Sequence, residues 1–207
     1  MHISEGVLSA PMLAAGWAGC AGLMAVSLNK TGYDKLPRVS VMAAVFFLGS
    51  LVHVPLGPAS VHLLLSGLIV LFLGWSAVLA VFLALTLQAL LFGFGGLSVL
   101  GPNTFQMALP MLLVGLPLRR IALGEGRKSL AAAFCVGLLS VVGTSAMLFG
   151  NLYLSNPDMA AAAWLGFAGN CVVAAIEGPV TMFAVAWAKR SAPAVLGAAI
   201  PAVGAEA

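Results

Sequence analysis

A histidine directly follows Met1, so an imidazole stands beside the α-amine of the chain. The Met1 amine, the His2 backbone nitrogen and the His2 Nδ1 atom can chelate one metal ion in fused rings, which fills three corners of a square. Square-planar nitrogen sites favour Ni²⁺ or Cu²⁺, and Co²⁺ is possible with the same ligands, whereas Zn²⁺ prefers a tetrahedron. We expect Met1 to be retained, because a bulky second residue normally blocks its removal. A second-position histidine alone is more often a mobile terminal residue, so the prediction depends on a fourth donor nearby.

The fourth donor should be another histidine. The chain contains three, and the other two, His53 and His62, flank a "GPAS" segment. His62 stands near the start of a predicted helix and can point into a helical bundle. His53 lies two residues before Pro55, where a helix must end because proline cannot donate the next hydrogen bond. Spacing therefore favours His62 over His53.

The composition requires that membrane helices position these residues. Hydrophobic residues make up 62% of the 207-residue chain and charged residues 7%, and the mean hydropathy is +1.11. Soluble domains carry about 25% charged residues, so this chain cannot cover a globule with water-facing side chains. The formal net charge of +3 is spread over small clusters. We therefore expect no nucleic-acid partner.

Apolar runs between charges and turn signals predict seven helices, at 8–28, 39–56, 60–75, 76–94, 103–118, 129–154 and 160–188. One helix over 60–94 would be about 52 Å long, too long for a single span of about 30 Å, so we predict a turn at Leu73–Ala77. The predicted fold class is all-α, a polytopic membrane helical bundle of seven transmembrane helices. Residues 1–190 are expected to form one integral membrane domain, and 191–207 a short flexible tail.

Charge placement predicts the orientation. With seven spans and the amino terminus outside, all nine basic residues fall on the cytoplasmic side, as the positive-inside bias requires. Polar residues then gather at the outer face: His2, Glu5, His53, His62, Asn103, Gln106, Asn151, Asn156 and Asp158. Imidazoles, amides and carboxylates without lysine or arginine suit a cation, and these ligand types fit a transition metal.

The stretch "GFGGLSVLGPNTFQMALP" at 93–110 contains four glycines and predicts a non-helical outer segment. Such backbone persists at membrane depth only where protein or a cavity covers it. It either closes over the metal site, with Asn103 and Gln106 orienting the ligands, or forms a tight turn in which Asn103 caps the next helix. Both interpretations remain open.

Glu177, in "AAIEGPVT", is the only carboxylate inside a predicted helix. It could relay protons or form a bond across helices, and it lies too deep to bind the metal directly. The chain contains no nucleotide-binding motif. Active transport would therefore draw its energy from another polypeptide or from an ion gradient.

Four stretches together resemble the CbiM/NikM family: "MHISEG", "SVHLLLSGL", "GGLSVLGPNTFQMALP" and "IEGPVT". These proteins are substrate-binding membrane (S) subunits of cobalt and nickel energy-coupling-factor (ECF) ABC transporters. The resemblance implies seven spans, with the amino terminus inserted into an outer cavity. It implies a metal bound by the Met1 amine, the His2 amide and imidazole, and His62. The candidates for orienting these ligands are Asn103, Gln106, His53 and Glu5.

The resemblance further implies a transporter subunit in the inner membrane of a prokaryote, not an enzyme. It implies a helical coupling subunit, two ATPase subunits that hydrolyse the ATP, and often a small accessory membrane subunit. Co²⁺ or Ni²⁺ is then the substrate, and no catalytic cofactor is expected. The "EG" at 5–6 looks like the cobalt branch, which serves cobalamin biosynthesis, whereas the chelate chemistry leans to nickel; we favour cobalt.

Two other function classes remain open. A stand-alone metal channel or gradient-driven carrier would move metal without ATPase partners. An intramembrane metalloenzyme would need an open metal position and a general base. Glu5 is the only acid near the predicted site.

Overall fold

A computed structural model of the chain describes residues 2–51, 53–56 and 59–192, with the backbone alone for 53–56 and 59–61. These residues form seven α-helices and one hairpin: α1 (Ala10–Lys30), α2 (Leu36–Leu51), β1 (His53–Leu56), β2 (Ala59–His62), α3 (Ser66–Leu73), α4 (Ala77–Phe92), α5 (Leu100–Leu123), α6 (Arg127–Ser155) and α7 (Ala160–Ser191). The all-α fold class is confirmed, with one short hairpin added. The predicted tail lies almost wholly outside the described residues.

Five helical segments are long and apolar enough to cross a membrane. They are Ala10–Lys30, Ser66–Phe92, Leu100–Leu123, Arg127–Ser155 and Pro157–Ser191. The remaining helix, α2, has 16 residues, and α3 and α4 fall together within one of the five segments. The chain is therefore built as a membrane protein of several spans.

The hairpin replaces parts of two predicted helices. The prediction of a helix over 39–56 is wrong after Leu51, and the helix predicted from 60 begins only at Ser66. The two strands pair antiparallel, with His53 opposite His62. The physical reason is Pro55, which lacks the N–H that a continuing helix requires. The hairpin thereby places the backbone of His62, the predicted ligand, next to the backbone of His53, the alternative candidate.

The predicted turn between α3 and α4 is present. Gly74 adopts φ +60° and ψ −127°, and Gly74–Ser76 forms a 3₁₀ turn. A Cβ atom at Gly74 would lie 3.1 Å from a guanidinium nitrogen of Arg119. Glycine is therefore favoured at this position for two reasons: it adopts positive φ without strain, and it has no Cβ atom to crowd the Arg119 side chain.

Several helix ends meet at one end of the bundle, which we call the basic end. Arg119 Nε at the close of α5 donates to the Leu71 carbonyl of α3 at 2.7 Å. Lys189 Nζ of α7 donates to the Gly124 carbonyl and the Ser129 hydroxyl. The carboxyl ends of α3, α5 and α7 thus lie together, and the basic side chains that follow the helices lie with them.

Close packing fixes α1 against α5. A Cβ atom at Gly16 would lie 2.5 Å from Pro102 Cγ, and one at Gly19 would lie 2.6 Å from the Phe105 ring. Small residues allow such close approach between helices. Trp17 Nε1 also donates to the Ser98 carbonyl at 2.8 Å. This contact holds the start of α1, and with it residues 2–9, at the end of the bundle opposite the basic end.

Candidate metal centre

Two imidazoles from distant parts of the chain meet at this opposite end. The rings of His2 and His62 are stacked, with centroids 5.1 Å apart and planes inclined by 27°. The Nε2 atom of each ring is buried and has no hydrogen-bond partner. A buried polar atom without a partner costs about 1–3 kcal/mol, so two of them side by side are typical of a ligand site.

The second nitrogen of His62 has a defined role. Its Nδ1 lies 3.1 Å from the Leu63 carbonyl oxygen, which can only accept. Nδ1 therefore carries the proton and donates, and Nε2 keeps its lone pair. Metal-binding histidines commonly use this arrangement, in which the other ring nitrogen donates to a carbonyl or carboxylate.

Burial keeps both rings neutral. The pKa of His2 is lowered to about 4, because desolvation disfavours the imidazolium and the nearby Gln88 side chain only partly opposes this. Burial also lowers the pKa of His62, against a smaller effect of its bond to Leu63. Both rings are therefore unprotonated at neutral pH, which is the state that binds a metal.

Asn103 of α5 holds the segment that carries His2. The Ile3 N–H donates to Asn103 Oδ1 at 3.0 Å, and Asn103 Nδ2 donates back to the Ile3 carbonyl at 3.0 Å. Gln106 Nε2 donates to Asn103 Oδ1 at 3.1 Å, and Asn151 Nδ2 donates to Gln106 Oε1 at 3.2 Å. A chain of amides thus runs from α6 to the residue after His2.

Helix α5 begins at Leu100 with Val99 as its N-cap, and no side chain caps it. The capping interpretation of Asn103 is therefore wrong. The prediction of a non-helical segment over 93–110 is also wrong from Leu100 on, where the backbone continues as a helix in spite of Gly101 and Pro102. Both polar side-chain atoms of Asn103 form hydrogen bonds to the backbone of Ile3 and so hold the amino-terminal segment against α5.

Glu5 ties the same segment to the loop at 93–99. The Glu5 N–H donates to the Gly95 carbonyl, and Glu5 Oε1 accepts from the Ser98 N–H, both at 3.0 Å. The Ser98 backbone bond is the main cause of a lowered pKa of Glu5. A Cβ atom at Gly96, whose φ is +117°, would lie 2.2 Å from Glu5 Cγ. Glu5 is thus engaged with the loop.

The remaining predicted residues are only partly described. Met1 lies outside the described residues, and so does the side chain of His53. Among the side chains that the structure describes, no group of three or more histidines, cysteines, aspartates and glutamates could hold a metal. The described side chains bring two imidazoles together, which are two of the donors that a four-coordinate ion needs.

The sequence reasoning missed Gln88 of α4. This side chain is fully buried and lies beside His2. Its Nε2 donates to Ser50 Oγ at 2.6 Å, and its Oε1 has no partner. The Phe94 ring stands 6.1 Å from the His2 ring. The available signal was a lone amide within an otherwise apolar run.

The chain matches the family model described as "CbiM: Cobalt uptake substrate-specific transmembrane region" over residues 2–195. It belongs to the CbiM family. Two solved structures, both described as a transition metal transporter and one of them truncated, resemble this CbiM-family chain in fold. The first has a TM-score of 0.79 at 26% identity and is covered to 93%, and the truncated one has 0.72 at 25% identity and is covered to 99%. Each match covers 92% of this chain.

Curated relatives carry the names of both metals. A "Fused nickel transport protein NikMN" of Rhodobacter capsulatus is 31% identical over 95% of this chain and 64% of its own length. A "Cobalt transport protein CbiM" of Sorangium cellulosum is 29% identical over 95% of this chain and 94% of its own. A Haemophilus influenzae relative is 45% identical over 55% of each chain. The chain thus matches less than two thirds of the length of two of these relatives.

Proposed function

We propose that this CbiM-family chain is the substrate-binding membrane subunit of an ECF-type ABC transporter. It captures Co²⁺ from outside the cell and gives it up inward when its ATPase partners act. The observation that carries the proposal is the stacked pair of buried imidazoles at the amino-terminal end of the chain, in which His62 keeps a free Nε2 atom. The family membership and the relatives named for cobalt and nickel support it.

The proposed ligands are the Met1 amine, the His2 amide and imidazole, and the His62 imidazole. His62 offers Nε2, since its Nδ1 bonds Leu63. With His2 Nδ1 on the metal, the His2 Nε2–H needs an acceptor, and Gln88 Oε1 is a buried acceptor to which no group donates. Asn103, Gln106 and Glu5 fix the amino-terminal segment, and His53 belongs to the hairpin that carries His62.

The proposed topology has seven spans and an outside amino terminus. Residues 62–65 together with the short α3 complete one crossing, and the Gly74–Ser76 turn begins the next. The basic side chains at one end and the histidines at the other support this orientation, because lysine and arginine favour the cytoplasmic side. In this proposal residues 1–190 are one membrane domain, and 191–207 a tail.

The proposed partners are a helical coupling subunit, two ATPase subunits and a small accessory membrane subunit, in the inner membrane of a prokaryote. ATP hydrolysis belongs to the ATPases, so the chain itself is not an enzyme. A stand-alone channel or carrier makes a different prediction. Purified chain in liposomes would then pass Co²⁺ without any partner, and such flux would contradict the proposal.

Cobalt is proposed as the physiological substrate and nickel as the alternative. The relative of Sorangium cellulosum that matches over 94% of its own length is named for cobalt, whereas that of Rhodobacter capsulatus is named for nickel. Mass spectrometry of metal copurified with the chain distinguishes the two. Bound nickel without cobalt from cells supplied with both would reverse the assignment.

Equilibrium dialysis with Co²⁺ and Ni²⁺ tests the ligands. His2→Ala, and separately an alanine inserted between Met1 and His2, should each abolish high-affinity binding, because each destroys the fused rings. Asn156→Ala is the control, since Asn156 is an exposed residue before α7 and neither a proposed ligand nor a residue proposed to orient one, and it should bind as the wild type does. Binding that survives either change at the amino terminus would rule out the chelate.

A further inference from the structure

The segment that follows His62 is anchored to α7 by a buried carboxylate. The N–H groups of Leu64 and Leu65 both donate to Glu177 Oε1, at 2.5 and 2.6 Å. Glu177 is fully buried, and Leu64 is too. These are the second and third residues after His62, and they lie in the non-helical stretch between β2 and α3.

This stretch needs such an anchor. Backbone N–H groups in an apolar interior must find acceptors, and a helix start leaves several of them without an intrahelical partner. Leu65 precedes α3 with φ +52°, a left-handed conformation that is uncommon for a leucine. Such a conformation persists when surrounding bonds hold it. Two bonds to a single carboxylate oxygen supply that restraint.

Packing leaves the anchored stretch little room to move. A Cβ atom at Gly67 would lie 2.5 Å from Gly137 Cα of α6 and 2.9 Å from Thr181 Oγ1 of α7. One at Gly137 would lie 2.6 Å from the Glu177 carbonyl oxygen. The start of α3 is therefore in direct contact with both helices, one turn from the carboxylate.

We propose that Glu177 is a positioning residue that sets His62 at the metal through the amides of Leu64 and Leu65. The proposal rests on the proposed function, because it needs His62 to be a ligand. Of the two interpretations of Glu177, the bond across elements is the one that these contacts support. The position of α7 thereby determines whether the His62 imidazole completes the metal's coordination.

The test compares three substitutions in lipid nanodiscs by Co²⁺ dialysis and X-ray absorption. Glu177→Leu removes both bonds, and we expect a loss of affinity of about 10–100-fold, as for other groups that orient metal ligands. Glu177→Gln keeps an acceptor oxygen and should stay within about threefold of the wild type on the same ground. Glu177→Asp keeps the charge but shortens the reach by one methylene, and it should fall between these two.

Two readouts separate positioning from a general structural role. The absorption spectrum should show two imidazoles in the wild type and one in Glu177→Leu, as in His62→Ala. In a double-mutant cycle, Glu177→Leu should cost nothing further in the His62→Ala background. Asn170→Leu is the matched control, because Asn170 is a buried polar residue of the same helix, and neither of its polar side-chain atoms has a partner. It should bind as the wild type does.

The outcomes also separate this proposal from the proposed function. A wild type that binds neither metal, or binding that ignores His62→Ala, overturns the function itself. Binding that requires His62 but is unchanged in Glu177→Leu and Glu177→Asp overturns only the positioning role. If Glu177→Leu lowers Co²⁺ affinity further in the His62→Ala background, that result also overturns only the positioning role. If the leucine variant does not fold, Glu177→Asp and Glu177→Gln decide, and equal wild-type spectra and affinities in both overturn the positioning role.

Discussion

Asn103→Leu should weaken metal binding by releasing the segment that carries His2. The substitution removes two hydrogen bonds to the Ile3 backbone, each 3.0 Å long, and Ile3 is only 2% exposed. Each bond contributes about 1 kcal/mol net, and each buried group left without a partner costs about 1–3 kcal/mol. Holding residues 2–5 in place therefore becomes about 2–6 kcal/mol less favourable.

This penalty passes to metal affinity, because the chelate forms only when the segment is in place. At about 1.4 kcal/mol per tenfold, the expected loss is at least roughly 30-fold and at most roughly 20,000-fold. Isothermal titration with Co²⁺ measures it. Asn151→Leu is the matched control, since Asn151 donates to Gln106, at 3.2 Å, rather than to the amino-terminal segment, and its loss should cost less than about threefold. An Asn103→Leu protein that folds and binds Co²⁺ like the wild type would refute the reasoning.

Two further predictions concern the imidazoles. Gln88→Leu should lower Co²⁺ affinity about 10-fold in dialysis, because it removes a buried side-chain carbonyl beside His2 to which no group donates. Gln88→Glu keeps an acceptor oxygen and should lose less affinity than Gln88→Leu. Between pH 7 and 5.5 protons should not compete with the metal for the His2 imidazole, because burial lowers the pKa of His2 to about 4. Affinity should instead fall with pH in this range because metal binding displaces protons from the amine and amide of the chelate. Affinity that stays flat over the same range would contradict main-chain ligation.

The helices could be predicted because bilayer-spanning segments must be continuous and apolar. Charges and glycines mark where such runs stop, and the turn at Leu73–Ala77 was found on length alone. The prediction failed between Leu51 and Ser66, where the chain is apolar but pairs as a hairpin and then runs irregularly. Hydropathy cannot separate a helix from covered, non-helical backbone at the same depth. Pro55 and the "GPAS" segment after it were the local signs of the break.

A site residue could be predicted from the sequence where its own chemistry, without its tertiary contacts, indicates metal binding. An imidazole beside an α-amine suggests a chelate in any context, and so His2 could be named. Gln88 could not be placed, because only tertiary packing brings it to His2. The same holds for Glu177, whose partners are the backbone N–H groups of two leucines. Every residue except proline has the same backbone N–H group, so the sequence alone does not indicate which of these groups will donate to a buried carboxylate.

The two imidazoles reach one point from separate parts of the chain, and a polar side chain on a different long helix anchors each. Asn103 on α5 holds the residue after His2, and Glu177 on α7 holds the residues after His62. Both anchors act on backbone, so each fixes where a proposed ligand stands without occupying a coordination position. Helix α6 packs against both α5 and α7. A change in the relative placement of α5 and α7 would therefore separate the imidazoles, and we expect the affinity of the proposed site to depend on how firmly these helices are held together.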